Sequence, residues 1–257
     1  MKNKSDSSLG IVCSPKNGDY LINLLKSVSM CSTRPDKVMV FFNEFKDDLI
    51  PALDFSVNFG ADVFLYREIQ PLARLWNQAI LFTRDQKYCF VFNEDTIVKD
   101  ADLFEKAASY HQQNPLIVKY CEAMSAFSVT KELIKEIGWF DENYLWCWED
   151  SDYRMRMCQK NIKPLHVMPE PVLHLRSLGS NGYQIHKARW DLGMDFFYKK
   201  WNIKKIIEEN NLPFALDENS QESKRGLLLG GLFCDYFYDN FAKNVEQRIV
   251  TENYYTL

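Results

Sequence analysis

The sequence lacks the run of about 18 apolar residues that a membrane-spanning helix needs, and its opening MKNKSDSSL lacks the apolar stretch of a signal peptide. It lacks an excess of positive charge. The formal net charge of −4 argues against a protein built to grip a phosphate backbone, which takes dense Lys and Arg on one face, so nucleic acid is not the expected partner. CxxC spacing is absent too: Cys13, Cys31, Cys89, Cys121, Cys147, Cys158 and Cys234 are odd in number and unclustered, and read as reduced thiols rather than a zinc site. Ser14-Pro15-Lys16-Asn17-Gly18, with one glycine and one lysine, lacks the Gly-rich basic character of a nucleotidyltransferase phosphate loop. With no long polar or Pro/Gly-rich tract, the whole chain is expected to fold. Together these absences predict a cytoplasmic protein, with peripheral contact to a membrane as the alternative.

What is present is an ordinary globular composition: 257 residues, 46% apolar and 26% charged, enough for one α/β domain with an appended helical piece. Leu9 to Cys13 reads as a short strand stopped by Ser14 to Gly18. A helix follows, with Asp19 as its cap and Leu21, Ile22, Leu24, Leu25 and Val28 on its apolar face. Pro35 marks a turn before a second strand, Val38 to Phe42, and the polar loop Asn43 to Asp48 comes next. Phe55 to Phe59 is ambiguous. Ala61 to Tyr66 reads as a strand, Leu72 to Phe82 as a helix, and Tyr88 to Phe92 as a strand buried on both faces. This alternation predicts a parallel sheet with ligands at the carboxyl ends of its strands, so the loops that matter are Ser14 to Gly18, Asn43 to Asp48 and Asn93 to Asp95.

Farther on, Glu122 to Val129 reads as a strand, Lys131 to Ile137 as a helix closed by Gly138, Glu149 to Lys160 as a charged helix, and Pro164 to Leu175 as extended. The chain from Asp191 is helical in character. Lys131, Lys135, Arg154, Arg156, Lys160 and Lys163 form a basic stretch that reads as a solvated helix face, with a local basic patch as the alternative.

Three constellations carry chemistry. Asn93-Glu94-Asp95, after the most buried strand, offers oxygen ligands suited to Mg²⁺ or Mn²⁺, which can bridge a diphosphate; a solvated loop or helix cap is the competing reading. Trp139-Phe140-Asp141-Glu142-Asn143-Tyr144 and Trp146-Cys147-Trp148-Glu149-Asp150-Ser151-Asp152 mix rings that stack on sugar faces with carboxylates that accept hydroxyl hydrogens, and a carboxylate there suits a general base; packed tryptophans under a charged helix start are the alternative. His174 can complete a metal shell begun elsewhere, or be a satisfied structural histidine.

The order of these segments resembles the family 2 glycosyltransferases of the GT-A fold, particularly the rhamnosyltransferase-like branch, over about residues 8 to 202. The matching segments are a strand ending in a polar loop with Pro15, the helix Arg74-Leu75-Trp76-Asn77-Gln78-Ala79-Ile80, Asn93-Glu94-Asp95 as a variant of the acidic DXD motif, and Gly138-Trp139-Phe140-Asp141-Glu142 leading to Glu149-Asp150-Ser151-Asp152. The resemblance implies a GT-A domain over 1–202, Rossmann-like with a mostly parallel sheet flanked by helices, and a C-terminal helical extension over 203–257.

The resemblance also implies inverting transfer from a UDP, GDP or dTDP sugar to a glycan or glycoconjugate. Asp150 would be the base, with Glu149 its nearest alternative, and Asp95 would hold Mn²⁺ or Mg²⁺, helped by His174. Ser14, Pro15, Asn43, Arg74, Asn77, Asn93 and Glu94 would contact the donor, and Trp139, Asp141, Glu142 and Trp148 the acceptor. Asn93 replaces the first acid of the usual motif, and Asn43 to Asp48 departs from the usual Asp-rich loop. Rival readings are a GT-A enzyme acting on a nucleic-acid base or protein side chain, and a catalytically silent binding module. The extension is expected to pack within a homodimer.

Overall fold

The computed structural model describes residues 3–83, 85–114, 116–121, 124–144, 147–175, 183–203 and 205. The first strand, β1 (Asn3–Cys13), is longer than its apolar run because the polar residues before Leu9 are also paired, in parallel, with β2 (Thr33–Phe42). Pro35 therefore lies inside β2 rather than in a turn. It sits opposite Ser5, where the register shifts before Ser8, so its missing N–H falls at an irregularity of the ladder.

Helix α1 (Gly18–Met30) buries Leu21, Leu24, Leu25 and Val28, the face that its spacing predicts. Its cap position belongs to Asn17, and Asp19 falls within the first turn. The ambiguous Phe55 to Phe59 completes α2 (Ile50–Phe59), which starts with a proline in its first turn and ends at Gly60 with φ 88°. Next come β3 (Asp62–Leu65), α3 (Leu72–Phe82) and β4 (Tyr88–Asn93).

The second half contains β5 (Thr96–Val98), α4 (Leu103–Gln113), β6 (Ile117–Lys119), β7 (Ala126–Val129), α5 (Lys131–Ile137), α6 (Glu149–Gln159), β8 (Leu165–His166), β9 (Val172–His174) and α7 (Tyr183–Trp201). Seven strands form one sheet in the order β3-β2-β1-β4-β7-β6-β8, and β5 pairs antiparallel with β9. The sheet is mostly parallel, as expected, with β7 running antiparallel to both neighbours, β4 and β6. The result is a mixed, mostly parallel, Rossmann-like sheet flanked by helices.

Core lies on both faces of the sheet. Leu9, Ile11, Phe42, Phe90 and Phe92 pack with α1 and α4 on one side. Val12, Phe41, Val91 and Phe127 pack with α3, α5 and α6 on the other. The contact of α3 with β1 is close: a Cβ on Gly10 would meet Ala79 Cβ at 2.4 Å. Neither atom can swing away, so Gly10→Ala is expected to destabilise by about 1–3 kcal/mol. A lowered urea midpoint, partly recovered by Ala79→Gly, checks this; an unchanged midpoint would show that the two elements are not in such contact.

Among the described residues no helix is long and apolar enough to cross a membrane. Cys13, Cys31, Cys89, Cys121, Cys147 and Cys158 are free thiols. Cys234 and the extension after Lys205 lie outside the described residues, as do the helical and dimer-forming roles expected of that extension.

Candidate active site

The carboxyl ends of β1 and β4 are adjacent, with Val12 paired to Asn93 and the Glu94 N–H donating to Val12 O at 3.1 Å. In the order β3-β2-β1-β4 the chain runs one way from β1 to β3 and returns to β4 on the other side of β1, the switch-point crevice where such sheets bind ligands. Asn93, Glu94 and Asp95 form the tight turn from β4 into β5, closed by Thr96 Oγ1 donating to Asn93 O at 2.8 Å.

The three residues face different tasks. Glu94 is buried, and its Oε1 accepts from the Ser14 N–H at 3.1 Å and from Asn17 Nδ2 at 2.7 Å, tying the loop after β1 to the loop after β4. Burial, and secondly the charge on Asp95, push the Glu94 carboxyl up, while the bonds from Asn17 and Ser14 oppose this. Asn93 Oδ1 is buried with no hydrogen-bond partner, an orphaned acceptor at the mouth of the crevice. Asp95 Oδ2 lies 3.2 Å from His174 Nε2.

Backbone pairing enforces that last contact. Thr96 is opposite His174 in the β5–β9 ribbon, and the Leu175 N–H donates to Asp95 O at 2.8 Å. Ser125 Oγ is also 3.2 Å from His174 Nε2. Among the described residues no third His, Cys, Asp or Glu joins the pair as a metal-site cluster. A carboxylate, an imidazole and a nearby hydroxyl nevertheless fit Mn²⁺ or Mg²⁺, which take few protein ligands where a diphosphate and water supply the rest.

On the β2 side, Asn43 is fully buried and both arms of its amide are used: Nδ2 donates to Gln70 O at 3.0 Å, and Oδ1 accepts from the Gln70 N–H at 2.7 Å. Its side chain shapes the loop leading to α3 instead of facing outward. Arg74 Nη1 donates to Gln70 Oε1 at 3.1 Å, and its Nε lies 3.9 Å from Glu142 Oε2, a half-exposed pair of small energetic weight. Asn77 is buried and clamps the segment before the acidic helix through Phe140 N and O, both at 2.9 Å, and Glu142 Oε1 at 3.0 Å.

The other wall is the segment leading into α6, described over 138–144 and 147–149. It enters α6 through Cys147 and Trp148, consecutive non-glycine residues with φ 69° and 76°, a conformation that side chains resist and that tends to persist at functional sites. Glu149, Asp150 and Asp152 occupy the first turn of α6, where the helix dipole favours negative charge. Asp150 is partly exposed, and its Oδ1 accepts from the Ser151 N–H at 2.7 Å.

Burial raises the Asp150 carboxyl, opposed by the Ser151 N–H and by the charges of Lys119 and Arg154. Lys119 closes β6 opposite Phe127, one residue into β7 from the β4 edge, so Asp150 and the Asp95–His174 pair share the same edge of the sheet. Glu149 is buried with Oε2 unpartnered, and burial followed by the charge of Asp150 pushes it up to about 8.

A stability prediction follows. Between the ordinary glutamate value of 4.5 and about 8 the native state holds the extra proton, so stability is greatest at the acid end of this window and declines as pH rises through it. The melting temperature of wild type is expected to fall across that range, and Glu149→Gln to flatten the fall. Parallel profiles for the two proteins would contradict it.

Sequence comparison finds no family pattern and no curated protein that matches the chain. Its fold, however, matches solved structures. Mannosyltransferase PcManGT from Pyrobaculum calidifontis, in complex with GDP-Man and Mn²⁺, superposes with a TM-score of 0.55 at 11% identity, over 73% of this chain and 63% of that one. GalNAc-T7 with UDP, GalNAc and Mn²⁺ gives 0.54 at 14%, over 80% and 55%. TarS 1-349 of S. aureus in complex with UDP gives 0.50 at 13%, over 67% and 59%. The fold is the GT-A fold. The chain spans between 55% and 63% of the length of these three GT-A structures.

Within the GT-A frame, the structure brings Ser14, Pro15, Asn93, Glu94, Asp95 and His174 to the crevice between β1 and β4. Arg74 and Asn77 stand at the start of α3 with Glu142 against them, and Glu149 and Asp150 on the far wall. Three of the four residues expected to meet the acceptor are turned inward instead. Trp139 packs in the core with Phe127 and Phe140, and Asp141 is fully buried with Lys200 Nζ 2.7 Å from its Oδ2. Trp148 is also nearly covered, its ring centroid 5.1 Å from that of Phe197. Arg156, expected on a solvated face, is buried against Asp152 at 3.0 Å. Sequence reasoning missed Gln70, Ser125 and Lys200, which bond Asn43, His174 and Asp141 from positions remote in sequence.

Proposed function

We propose that the chain is a divalent-metal-dependent glycosyltransferase, moving a sugar with inversion from a nucleotide-diphosphate sugar to an acceptor hydroxyl on a glycan or glycoconjugate. The observation that carries this is the 3.2 Å approach of Asp95 Oδ2 to His174 Nε2 at the carboxyl edge of the sheet, with the raised carboxyl of Asp150 on the same edge. The ligands of the similar structures, GDP-Man, UDP and Mn²⁺, support it.

Asp95 and His174 would hold Mn²⁺ or Mg²⁺, with Ser125 beside the imidazole. When bound, the cation offsets negative charge on the departing nucleotide diphosphate. Glu94 fixes the loop carrying Ser14 and Pro15, so their backbone meets the donor in one conformation. Asn93, with its unpartnered oxygen, would accept from a donor hydroxyl. Asp150 takes the proton of the acceptor hydroxyl as its oxygen attacks the anomeric carbon and the bond to the diphosphate breaks on the opposite side. A raised pKa suits that task, because the carboxylate that forms is a better base.

Incubation with UDP-, GDP- and dTDP-sugars, each with Mn²⁺ or Mg²⁺, tests the reading through release of nucleoside diphosphate. Turnover of one nucleotide class is expected. Binding without turnover across the whole set would sink the enzyme reading and leave a binding module.

A further inference from the structure

Lys200, in the last turn of α7, is fully buried between two carboxylates, with its Nζ 2.7 Å from Asp141 Oδ2 and 2.6 Å from Asp152 Oδ1. Asp141 belongs to the segment that leads into α6, and Asp152 to the first turn of α6, which carries Glu149 and Asp150. Burial alone would raise the Asp141 carboxyl, but the charge and hydrogen bond of Lys200 outweigh it and hold it below the usual range. Asp152 is further held by Trp201 Nε1 at 2.9 Å, Arg156 Nε at 3.0 Å and Tyr144 OH at 3.4 Å. Two acids and two bases thus neutralise one another in the interior, which a buried charge requires.

Aromatic packing from the same helix covers Tyr144 and Trp148, which lie between these anchors. The ring centroids of Phe197 and Trp148 are 5.1 Å apart, and those of Phe196 and Tyr144 are 4.9 Å apart. Trp148 and the Cys147 before it are in left-handed conformation, a backbone that persists only when its surroundings over-determine it. Asp150 lies two residues after Trp148, so its position depends on whether Asp141 and the first turn of α6 are both held.

We propose that Lys200 is a positioning residue for Asp150: its ammonium ties both the segment before α6 and the first turn of α6 to α7 and sets the carboxylate where the acceptor hydroxyl arrives. This rests on the reading of Asp150 as the base. Donor binding, at the β1–β4 crevice, does not depend on the tie. Misplacement of a reacting group by about 1 Å can cost on the order of 10²-fold in rate.

Two variants test it. Lys200→Met combined with Asp141→Asn removes the ammonium without leaving Asp141 charged and unpaired. Trp201→Phe keeps the ion pairs and most of the ring volume but removes one hydrogen bond to Asp152. Transfer is measured below the melting temperature of each variant and expressed per donor-binding site, counted by titration with the nucleotide sugar and Mn²⁺. The double variant is expected to lose about 10²-fold in kcat with donor affinity unchanged, and Trp201→Phe to lose several-fold. A role confined to stability would lower the melting temperature and the number of sites but leave kcat per site intact, and full kcat per site in either variant overturns the proposal. Asp150→Asn run in parallel separates the two claims: if it too retains full transfer, the assignment of the base has failed rather than the tie.

Discussion

Asp150→Asn is expected to keep the fold and donor affinity while lowering kcat by about 10² to 10⁴. Asparagine matches the carboxylate in shape and can still accept from the Ser151 N–H, which in wild type reaches Asp150 Oδ1 at 2.7 Å. It cannot usefully take a proton. An interaction made mainly in the transition state lowers kcat and kcat/KM together, so a variant with only a raised acceptor KM would recast Asp150 as a binding residue. Wild-type kcat should climb with pH through a midpoint above the ordinary aspartate range, since burial raises this carboxyl. Glu149 is the alternative base, and adjacent helical side chains point in different directions. If Glu149→Gln abolishes transfer and Asp150→Asn leaves it nearly intact, the base is misassigned by one residue.

Asp95→Asn is expected to weaken metal and donor binding together, by at least about 10²-fold in metal affinity, since even the outer partners of metal ligands are worth about 10- to 100-fold. Calorimetric titration of Mn²⁺ in the presence of nucleoside diphosphate reads this directly. His174→Ala should shift the metal concentration for half activity more than donor affinity at saturating metal. Wild-type metal affinity in Asp95→Asn would mean that Asp95 is no metal ligand and that a basic residue neutralises the diphosphate.

Much of this architecture was legible in the sequence where the signal is local. The apolar period of Leu72 to Phe82 and the Gly138 stop after Lys131 to Ile137 match α3 and α5 at both ends. The pairing of Asp95 with His174 followed only from a resemblance, because a two-strand ribbon brings them together across a long separation. The local signal misled where tertiary contacts overrode it. Pro35 reads as a turn but sits at a register shift that tolerates it.

Charges were the hardest to place. Arg156 and Asp141 look like surface residues by type, yet Arg156 is held by Asp152 and Ile137 O and Asp141 by Lys200 of α7. Asn43 reads as a ligand contact because it follows a strand, yet its amide is consumed by the Gln70 backbone. No periodicity encodes such partners. The same holds for Ser125, which becomes visible as a neighbour of His174 only once β7 and β9 are in place.

The central claim, a glycosyltransferase that needs a divalent cation at Asp95 and His174, is tested most directly by sugar transfer in metal-stripped enzyme before and after Mn²⁺ is restored. The account predicts negligible transfer with chelator present and recovery on adding Mn²⁺ in excess, with no recovery in Asp95→Asn at the same concentration. Full transfer by the chelated wild-type enzyme would contradict it.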